Sequence, residues 1–163
     1  MHSFFSCDIL FRKIDIYLAS HLGDNTNRNF ITKIHTIMNI PENFKFTKEH
    51  EWLRVEGETA YIGVSDFAQH ELGDIVFIEV ETVGEPLRKG EAFGTIEAVK
   101  TVSDMYMPVA GEVLEYNTLL DAKPETINFD PYVDGWIIKI KMTDPNQVND
   151  LMDAKSYKAH IGA

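Results

Sequence analysis

The chain has 163 residues, of which 44% are apolar and 25% are charged, a composition typical of one globular domain with an ordinary core. Its 26 acidic side chains outnumber the 15 basic ones, which leaves a formal net charge of −11 with histidine neutral. Because nucleic acids and anionic membranes both attract basic proteins, we expect neither as a partner.

Residues 1–37 differ in charge from the rest of the chain. They carry 4 basic and 3 acidic side chains, whereas residues 38–163 carry 11 basic and 23 acidic ones. Asp8 and Arg12 interrupt the apolar stretch that a secretory signal needs, and a transit peptide is usually richer in arginine and serine. We therefore expect Met38 to be the natural start, with residues 1–37 a dispensable extension or a wrongly assigned start. A cytoplasmic location follows, or the mitochondrial matrix if the extension is a transit peptide.

From residue 38 onward, short segments rich in β-branched and aromatic residues alternate with glycine and proline. Strands are predicted over residues 51–55, 59–64 and 74–80. Short strands at this spacing are typical of a small β sandwich or barrel. We therefore expect residues 38–163 to form a single, mostly β (α+β) domain, a flattened barrel or sandwich with a short internal helix and a C-terminal helix.

The internal helix is predicted over residues 67–72. Ser65 or Asp66 can cap its start, since both side chains accept hydrogen bonds from the free N–H groups of a first turn. Gly73 follows directly and is placed to end the helix in the left-handed conformation.

The C-terminal helix is predicted to begin near Pro145, which suits a first helical turn. Thr143 or Asp144 can cap it, and apolar residues within 148–152 fall on one helical face. Residues 155–160 are expected to add a further turn or two.

The sequence offers little for metal or disulfide chemistry. Cys7 is the only cysteine, so neither an intramolecular disulfide nor a CxxC pair can form. His50, His70 and His160 stand far apart and have no cysteine partners, and we expect no metal site. Any dithiol chemistry must therefore come from a cofactor.

Lys100 lies between two strand-like segments of equal length, 93–99 and 101–107, which predict a hairpin with Lys100 at its tip. Gly90 and Gly111 flank the hairpin at similar distances, as in a faint internal repeat. An exposed lysine is protonated at neutral pH and is a poor nucleophile, so it is not a catalyst by itself. Acylated, it would carry a prosthetic group on a long flexible stem. Position alone favours the alternative, an ordinary solvated lysine in a turn.

Characteristic motifs follow one another in a fixed order between residues 39 and 160. They are HEW at 50–52, GVSDFAQ at 63–69, LGDIVF at 72–77, GEPLRKGE at 84–91 with EAVK at 97–100 and MPVAGEV at 107–113, and PYVDGW at 131–136. In sequence and spacing these motifs resemble the glycine cleavage H proteins, a family of the lipoyl/biotinyl carrier domains. Residues 1–37 take no part in the resemblance.

The resemblance implies a carrier rather than an enzyme. A lipoate-attaching enzyme would join lipoate covalently to Lys100. The lipoyl arm would then take the aminomethyl group of glycine from the pyridoxal-phosphate-dependent glycine decarboxylase (P protein) and deliver it to the tetrahydrofolate-dependent aminomethyltransferase (T protein). A flavin-dependent dihydrolipoyl dehydrogenase (L protein) would reoxidise the dithiol.

The resemblance also implies roles for four further residues. Glu51 and Asp104 match positions that hold the cationic amine of the loaded arm, and Glu97 matches one that helps the attaching enzyme to recognise the hairpin. Phe67 lines the arm's cleft at a position where family members often carry histidine, so it keeps the apolar contact and loses a hydrogen bond. Alternatively, the three acidic residues are ordinary solvated side chains.

Three other functions remain open from the sequence. A biotin carrier usually has methionine on both sides of the lysine, whereas Val99 and Thr101 stand here. The lipoyl domain of a 2-oxoacid dehydrogenase is normally tethered by linkers rich in alanine and proline. A lipoyl relay, which would donate lipoyl groups to other enzymes, is compatible with the same motifs.

Overall fold

The structure, a computed structural model, describes residues 38–163, so the predictions for residues 1–37 lie outside the described residues. In this part of the chain nine strands form two antiparallel sheets. The strands are β1 (Lys45–Phe46), β2 (Glu51–Glu56), β3 (Thr59–Val64), β4 (Ile75–Glu79), β5 (Pro86–Leu87), β6 (Ala92–Ala98), β7 (Thr101–Tyr106), β8 (Gly111–Tyr116) and β9 (Ile138–Met142). The helices are α1 (Asp66–Leu72), α2 (Leu119–Ala122), α3 (Thr126–Phe129), a 3₁₀ helix (Pro145–Asp150) and α4 (Ala154–Ile161).

The two sheets share one apolar core. The larger sheet has the strand order β1-β2-β3-β9-β8-β5, and the smaller one has the order β4-β6-β7. Leu53, Ile62 and Ile140 of the larger sheet and Ile96 and Met105 of the smaller sheet belong to one buried cluster. The predicted mostly β fold class is therefore confirmed, although the two sheets stay separate and do not close into a barrel.

The predicted hairpin is formed by β6 and β7. Ala98 pairs with Thr101, which leaves Val99 and Lys100 as a two-residue turn. Gly90 and Gly111, which suggested an internal repeat in the sequence, do not occupy equivalent positions in the structure. Gly90 lies in a turn with a φ of +82°, whereas Gly111 lies within β8 of the other sheet.

Helix α1 begins as predicted and ends differently. The Ser65 hydroxyl accepts a hydrogen bond from the Ala68 N–H at 3.2 Å, which caps the first turn. Gly73 ends the helix with φ +84° and ψ −150°, outside the left-handed helical region that was expected. This conformation is essentially restricted to glycine. Position 73 therefore requires glycine, although for a backbone conformation other than the expected one.

The prediction of one continuous C-terminal helix is wrong. Asp144 caps the 3₁₀ helix, but Leu151 is extended and Met152 pairs through its backbone with Phe46 of β1, with both N···O distances 2.9 Å. Asp153 then caps the separate helix α4. Backbone pairing with the short edge strand β1 breaks the helical pattern, because Met152 satisfies the free N–H and C=O groups of that strand.

A second, aromatic cluster joins β1, β2 and α4. Phe46 stacks on Tyr157 with ring centroids 4.4 Å apart, and both rings are fully buried. Trp52 is also fully buried, and its indole N–H donates to the Pro131 carbonyl at 3.1 Å. Trp136 is half-buried at the edge of the same cluster. This cluster holds the start of β2 in place, where the first candidate site residue lies.

Candidate functional site

Lys100 is exposed at the tip of the hairpin, and its neighbour Val99 keeps 71% of its surface accessible. Within residues 38–163 no ion pair involves Lys100. An acyl group added to this amine would therefore remove a charge without breaking an ion pair in that part of the chain.

Gly73, at the end of α1, makes room for the stem of Lys100. A Cβ atom built on Gly73 would lie 3.0 Å from the Cε atom of Lys100 and 3.5 Å from its Nζ atom. The lysine stem therefore lies against bare backbone, which supports the side chain and leaves its amine exposed. This is the second reason, beside its backbone conformation, why position 73 requires glycine.

Asn128 of α3 holds the base of the hairpin. Its amide NH₂ donates to the Gly73 carbonyl at 2.9 Å and to the Gln69 side-chain oxygen at 3.0 Å. Its amide oxygen accepts from the Ile75 N–H at 3.0 Å. Ile75 pairs with Ala98, the last residue of β6, so one side chain joins α1, β4 and the lysine turn. No local sequence pattern marks Asn128, because its partners lie 53 to 59 residues away in the chain.

Glu51, at the start of β2, is buried, with only 2% of its surface exposed. Its Oε1 atom accepts from the Tyr106 N–H at 2.9 Å, and its Oε2 atom accepts from the Thr47 hydroxyl. Burial raises the pKa of this carboxyl group above 4.5, while the two hydrogen bonds partly oppose the shift. Glu51 therefore ties the larger sheet to the far end of the hairpin.

Asp104 is exposed on the outer face of β7 and pairs in register with Thr95. The Tyr106 hydroxyl donates to its Oδ2 atom at 3.4 Å, and the charge of Asp104 is the main cause of a raised Tyr106 pKa. Tyr106 thus contacts Glu51 through its backbone and Asp104 through its side chain. At about 3.3 Å per strand residue, Asp104 lies about 13 Å along β7 from Lys100, and Tyr106 about 20 Å.

A cleft of about 580 Å³ lies beside Glu51 and Tyr106. Its lining is mostly apolar, with Phe46, Met107, Pro108, Leu151 and Met152 among its residues. Lys89 and Asp150 also line the cleft and form an ion pair of 3.0 Å. The cleft begins where β7 ends, at Tyr106 and Met107.

The remaining two candidates lie on α1 and on β6. Phe67 is half-buried on α1, with its ring centroid 4.8 Å from that of His50, the residue before Glu51. Glu97 is exposed on β6, three residues before Lys100. Glu97 and Asp104 thus share the outer face of the hairpin, and Tyr106 links Asp104 to Glu51. Phe67 is linked to Glu51 through His50, the preceding residue.

Between residues 38 and 163, no three His, Cys, Asp or Glu side chains are grouped so that they could hold a metal ion. In the same range, no helix combines the length and the apolar character that crossing a bilayer requires.

Two antiparallel sheets that present an exposed lysine on a two-residue turn match the fold expected of a lipoyl-type carrier domain. The family model described as "Glycine cleavage H-protein" matches residues 44–162. The chain therefore belongs to the glycine cleavage H-protein family.

Individual relatives agree with this assignment. The chain is 57% identical over 124 residues to the glycine cleavage system H protein of Bacteroides thetaiotaomicron, a match that covers 76% of this chain and 98% of the relative. It is 54% identical to that of Bacteroides fragilis, with 77% of this chain and all of the relative covered. The crystal structure of a glycine cleavage system H protein from Mycobacterium marinum superposes with a TM-score of 0.70 at 35% identity, covering 76% of this chain and all of that one.

Replacing Asn128 by alanine should destabilise the base of the hairpin. The change leaves the Gly73 carbonyl and the Ile75 N–H without their partner, and we expect the free energy of unfolding to fall by about 1–3 kcal/mol in urea titrations. Amide exchange at Ile75 should also become faster. Asn146→Ala is the matched control, since this exposed side chain forms no hydrogen bond within residues 38–163 and should cost less than about 0.5 kcal/mol. Equal effects of the two changes would contradict the role of Asn128.

Glu51→Gln should change how stability depends on pH. Because the pKa of Glu51 is raised in the folded protein, the folded state binds this proton more tightly than the unfolded state does. The contribution is therefore fully present at low pH and is lost as pH rises from about 4.5 through the folded-state pKa. Urea titrations between pH 4 and 8 should show the variant gaining stability relative to wild type as pH rises. A difference that is constant with pH would contradict this cause.

Proposed function

We propose that this protein is the lipoylated carrier of the glycine cleavage system. In this proposal Lys100 bears the lipoyl group and carries the aminomethyl group of glycine from the glycine decarboxylase to the aminomethyltransferase. The dithiol then goes to dihydrolipoyl dehydrogenase for reoxidation. The observation that carries the proposal is an exposed lysine without an ion pair in residues 38–163, at a hairpin tip in a member of this family.

The residues around Lys100 suit a covalently attached group. Its amine is exposed, and the missing side chain at Gly73 leaves space beside the stem. When bound, the lipoyl group supplies a dithiolane, which this chain, with Cys7 as its only cysteine, cannot provide. The hairpin and Asn128 hold the point of attachment, so that mobility is confined to the lysine stem and what is joined to it.

Asp104 is the residue that we propose holds the cationic cargo. Its exposed carboxylate can accept a charge-assisted hydrogen bond from an ammonium group, and it lies within the hairpin's own outer face. Glu51 has a supporting role. Its buried carboxyl group accepts a hydrogen bond from the Tyr106 N–H and so holds the backbone close to Asp104. Phe67, whose ring packs against His50, supplies an apolar surface. Together these groups would keep water from a labile cargo.

Intact mass of the protein from cells that make lipoate tests the attachment. We expect the wild type to carry one lipoyl group and the Lys100→Arg variant to carry none, because the guanidinium group is not acylated. Lys123→Arg, at another exposed lysine, should be modified like the wild type. The lipoylated protein should then acquire label from isotopically labelled glycine when glycine decarboxylase is added. Lipoylation without any label would overturn the glycine cleavage role and favour a lipoyl relay.

Asp104→Asn should weaken the proposed hydrogen bond to the cationic amine of the aminomethyl group. Loss of a hydrogen bond between charged groups corresponds to about a tenfold change in equilibrium or rate. We therefore expect the loaded carrier, kept without aminomethyltransferase, to release ammonia about ten times faster than the wild type. Asp121→Asn, an exposed aspartate of α2, removes the same charge away from the hairpin and should release ammonia at the wild-type rate. A similar rate in both variants would contradict the role of Asp104.

A further inference from the structure

Phe129, the last residue of α3, keeps 84% of its surface exposed, more than any other large apolar side chain in residues 38–163. Val133, four residues later, is 64% exposed. Both side chains add little to the stability of the fold, because that stability comes from apolar area removed from water. Large apolar side chains that stay together in solvent are typical of an interaction surface.

Asp130 fixes the backbone between these two side chains. Its Oδ1 atom accepts from the Val133 N–H at 3.1 Å, and its Oδ2 atom accepts from the Asp134 N–H at 3.3 Å. Its carbonyl oxygen accepts from the Gly135 N–H at 2.8 Å. A Cβ atom built on Gly135 would lie 2.5 Å from that same oxygen, so the loop closes tightly only with glycine at this position.

The residues in the middle of the loop are anchored in the aromatic cluster. Tyr132 is buried, and its hydroxyl accepts from the Asp66 N–H at 3.0 Å. The Tyr132 carbonyl accepts from the Arg54 guanidinium group at 3.1 Å, and the Pro131 carbonyl accepts from Trp52. Phe129 and Val133 are therefore held in solvent by a fixed backbone. A surface that is already ordered loses little conformational entropy when a partner binds it.

This loop begins beside the support of Lys100. Phe129 directly follows Asn128, whose amide group donates to the Gly73 carbonyl. Gly73 in turn lies against the stem of Lys100. Two residue contacts thus separate Phe129 from the lysine, on the side of the turn that faces α3.

The surroundings of the loop are acidic. Residues 117–138 carry four acidic side chains and one basic one. Glu125 lies four residues before Phe129, a spacing that puts two side chains on the same face of a helix, and Asp134 directly follows Val133. Both carboxylates are exposed, and neither forms an ion pair within residues 38–163. We call Glu125, Phe129, Val133 and Asp134 the α3 loop surface.

The proposed loading of the arm has to be kept from water. Glycine decarboxylase breaks the bond between the α-carbon and the carboxylate of glycine, and CO₂ leaves without the bonding electrons. That electron pair forms a C–S bond to one sulfur of the dithiolane while the S–S bond breaks, and the second sulfur takes up a proton as a thiol. A proton delivered by water to the same carbon would instead give methylamine and leave the dithiolane oxidised.

Water can be excluded only at the point where the arm is attached. An enzyme that takes in an arm joined to Lys100 closes its site by packing against the protein surface around that lysine. The α3 loop surface suits such a contact, because its apolar side chains are rigidly held and its carboxylates border them. Its complement is an apolar pocket edged by lysine or arginine.

We propose that the α3 loop surface is part of the docking site for glycine decarboxylase, which meets it with an apolar pocket bordered by basic side chains. Phe129 and Val133 enter the pocket, and Glu125 and Asp134 pair with its border. The inference rests on the proposed function, because it requires that Lys100 carries a lipoyl group that this enzyme loads.

The test compares lipoylated variants of the full chain. Phe129→Ser/Val133→Ser removes the apolar pair, and Glu125→Gln removes one bordering charge. The matched controls are Val83→Ser, at a valine that is 46% exposed in another turn, and Glu58→Gln, at an exposed glutamate between β2 and β3. Calorimetric titration with glycine decarboxylase measures Kd, and the initial rate of label uptake from glycine measures KM and kcat for the carrier.

We expect the double variant to raise Kd and KM about tenfold or more, with little change in kcat, because exposed aromatic side chains often dominate binding. Added salt should weaken binding of the wild type more than that of Glu125→Gln. Both controls should bind and react like the wild type. Urea titration checks the fold, and if the double variant is destabilised, Phe129→Ser decides alone.

Three results would overturn the inference. Variants of the α3 loop surface that bind like the controls would show that the decarboxylase docks elsewhere. Normal loading with slow transfer to aminomethyltransferase or dihydrolipoyl dehydrogenase would assign the surface to that enzyme. A wild-type dimer in sedimentation that Phe129→Ser abolishes would assign it to a second copy of this chain. If the lipoylated wild type is never loaded, the proposed function itself fails, and this result is distinct from a selective defect of the variants.

Discussion

Strand register in the β6–β7 hairpin is the constraint on which the whole carrier depends. Side chains in a strand alternate between two faces, so a slip of one residue would exchange the buried Ile96 and Met105 for Glu97 and Asp104. The cost of burying those charges holds the pairing of Ala98 with Thr101 in place. The same pairing leaves Lys100 in the turn, so the core of the protein determines where its amine is presented.

Two polar side chains, half-buried Asn128 and buried Glu51, brace the hairpin at its two ends. Asn128 joins α1 to β4 beneath the turn, and Glu51 binds the Tyr106 N–H where β7 ends. Each satisfies backbone groups that lie outside the regular ladders, which buried structure requires. Bracing of this kind suits the proposed carrier role, because motion is then confined to the Lys100 side chain and the group that it would carry.

The outward side of the same hairpin has a different composition from its core side. Phe77 and Val102 flank Glu97 in the row nearer to Lys100, and Glu79 and Asp104 flank Thr95 in the next row. Brief encounters between proteins are accelerated by complementary charge and made selective by a small apolar contact. The inner face of the sheet therefore positions the amine, and its outer face is left exposed.

The sequence by itself determined the local features, because their causes lie close together in the chain. Segments rich in β-branched and aromatic residues between glycine and proline predicted the strands and the hairpin. Ser65 or Asp66 predicted the start of α1, and ordered motifs indicated the family. Only the tertiary structure decided the break at Met152, which pairs with distant Phe46, and the roles of Asn128 and Glu51. These features depend on groups more than 50 residues apart in sequence, whose approach follows from sheet topology and burial rather than from local pattern.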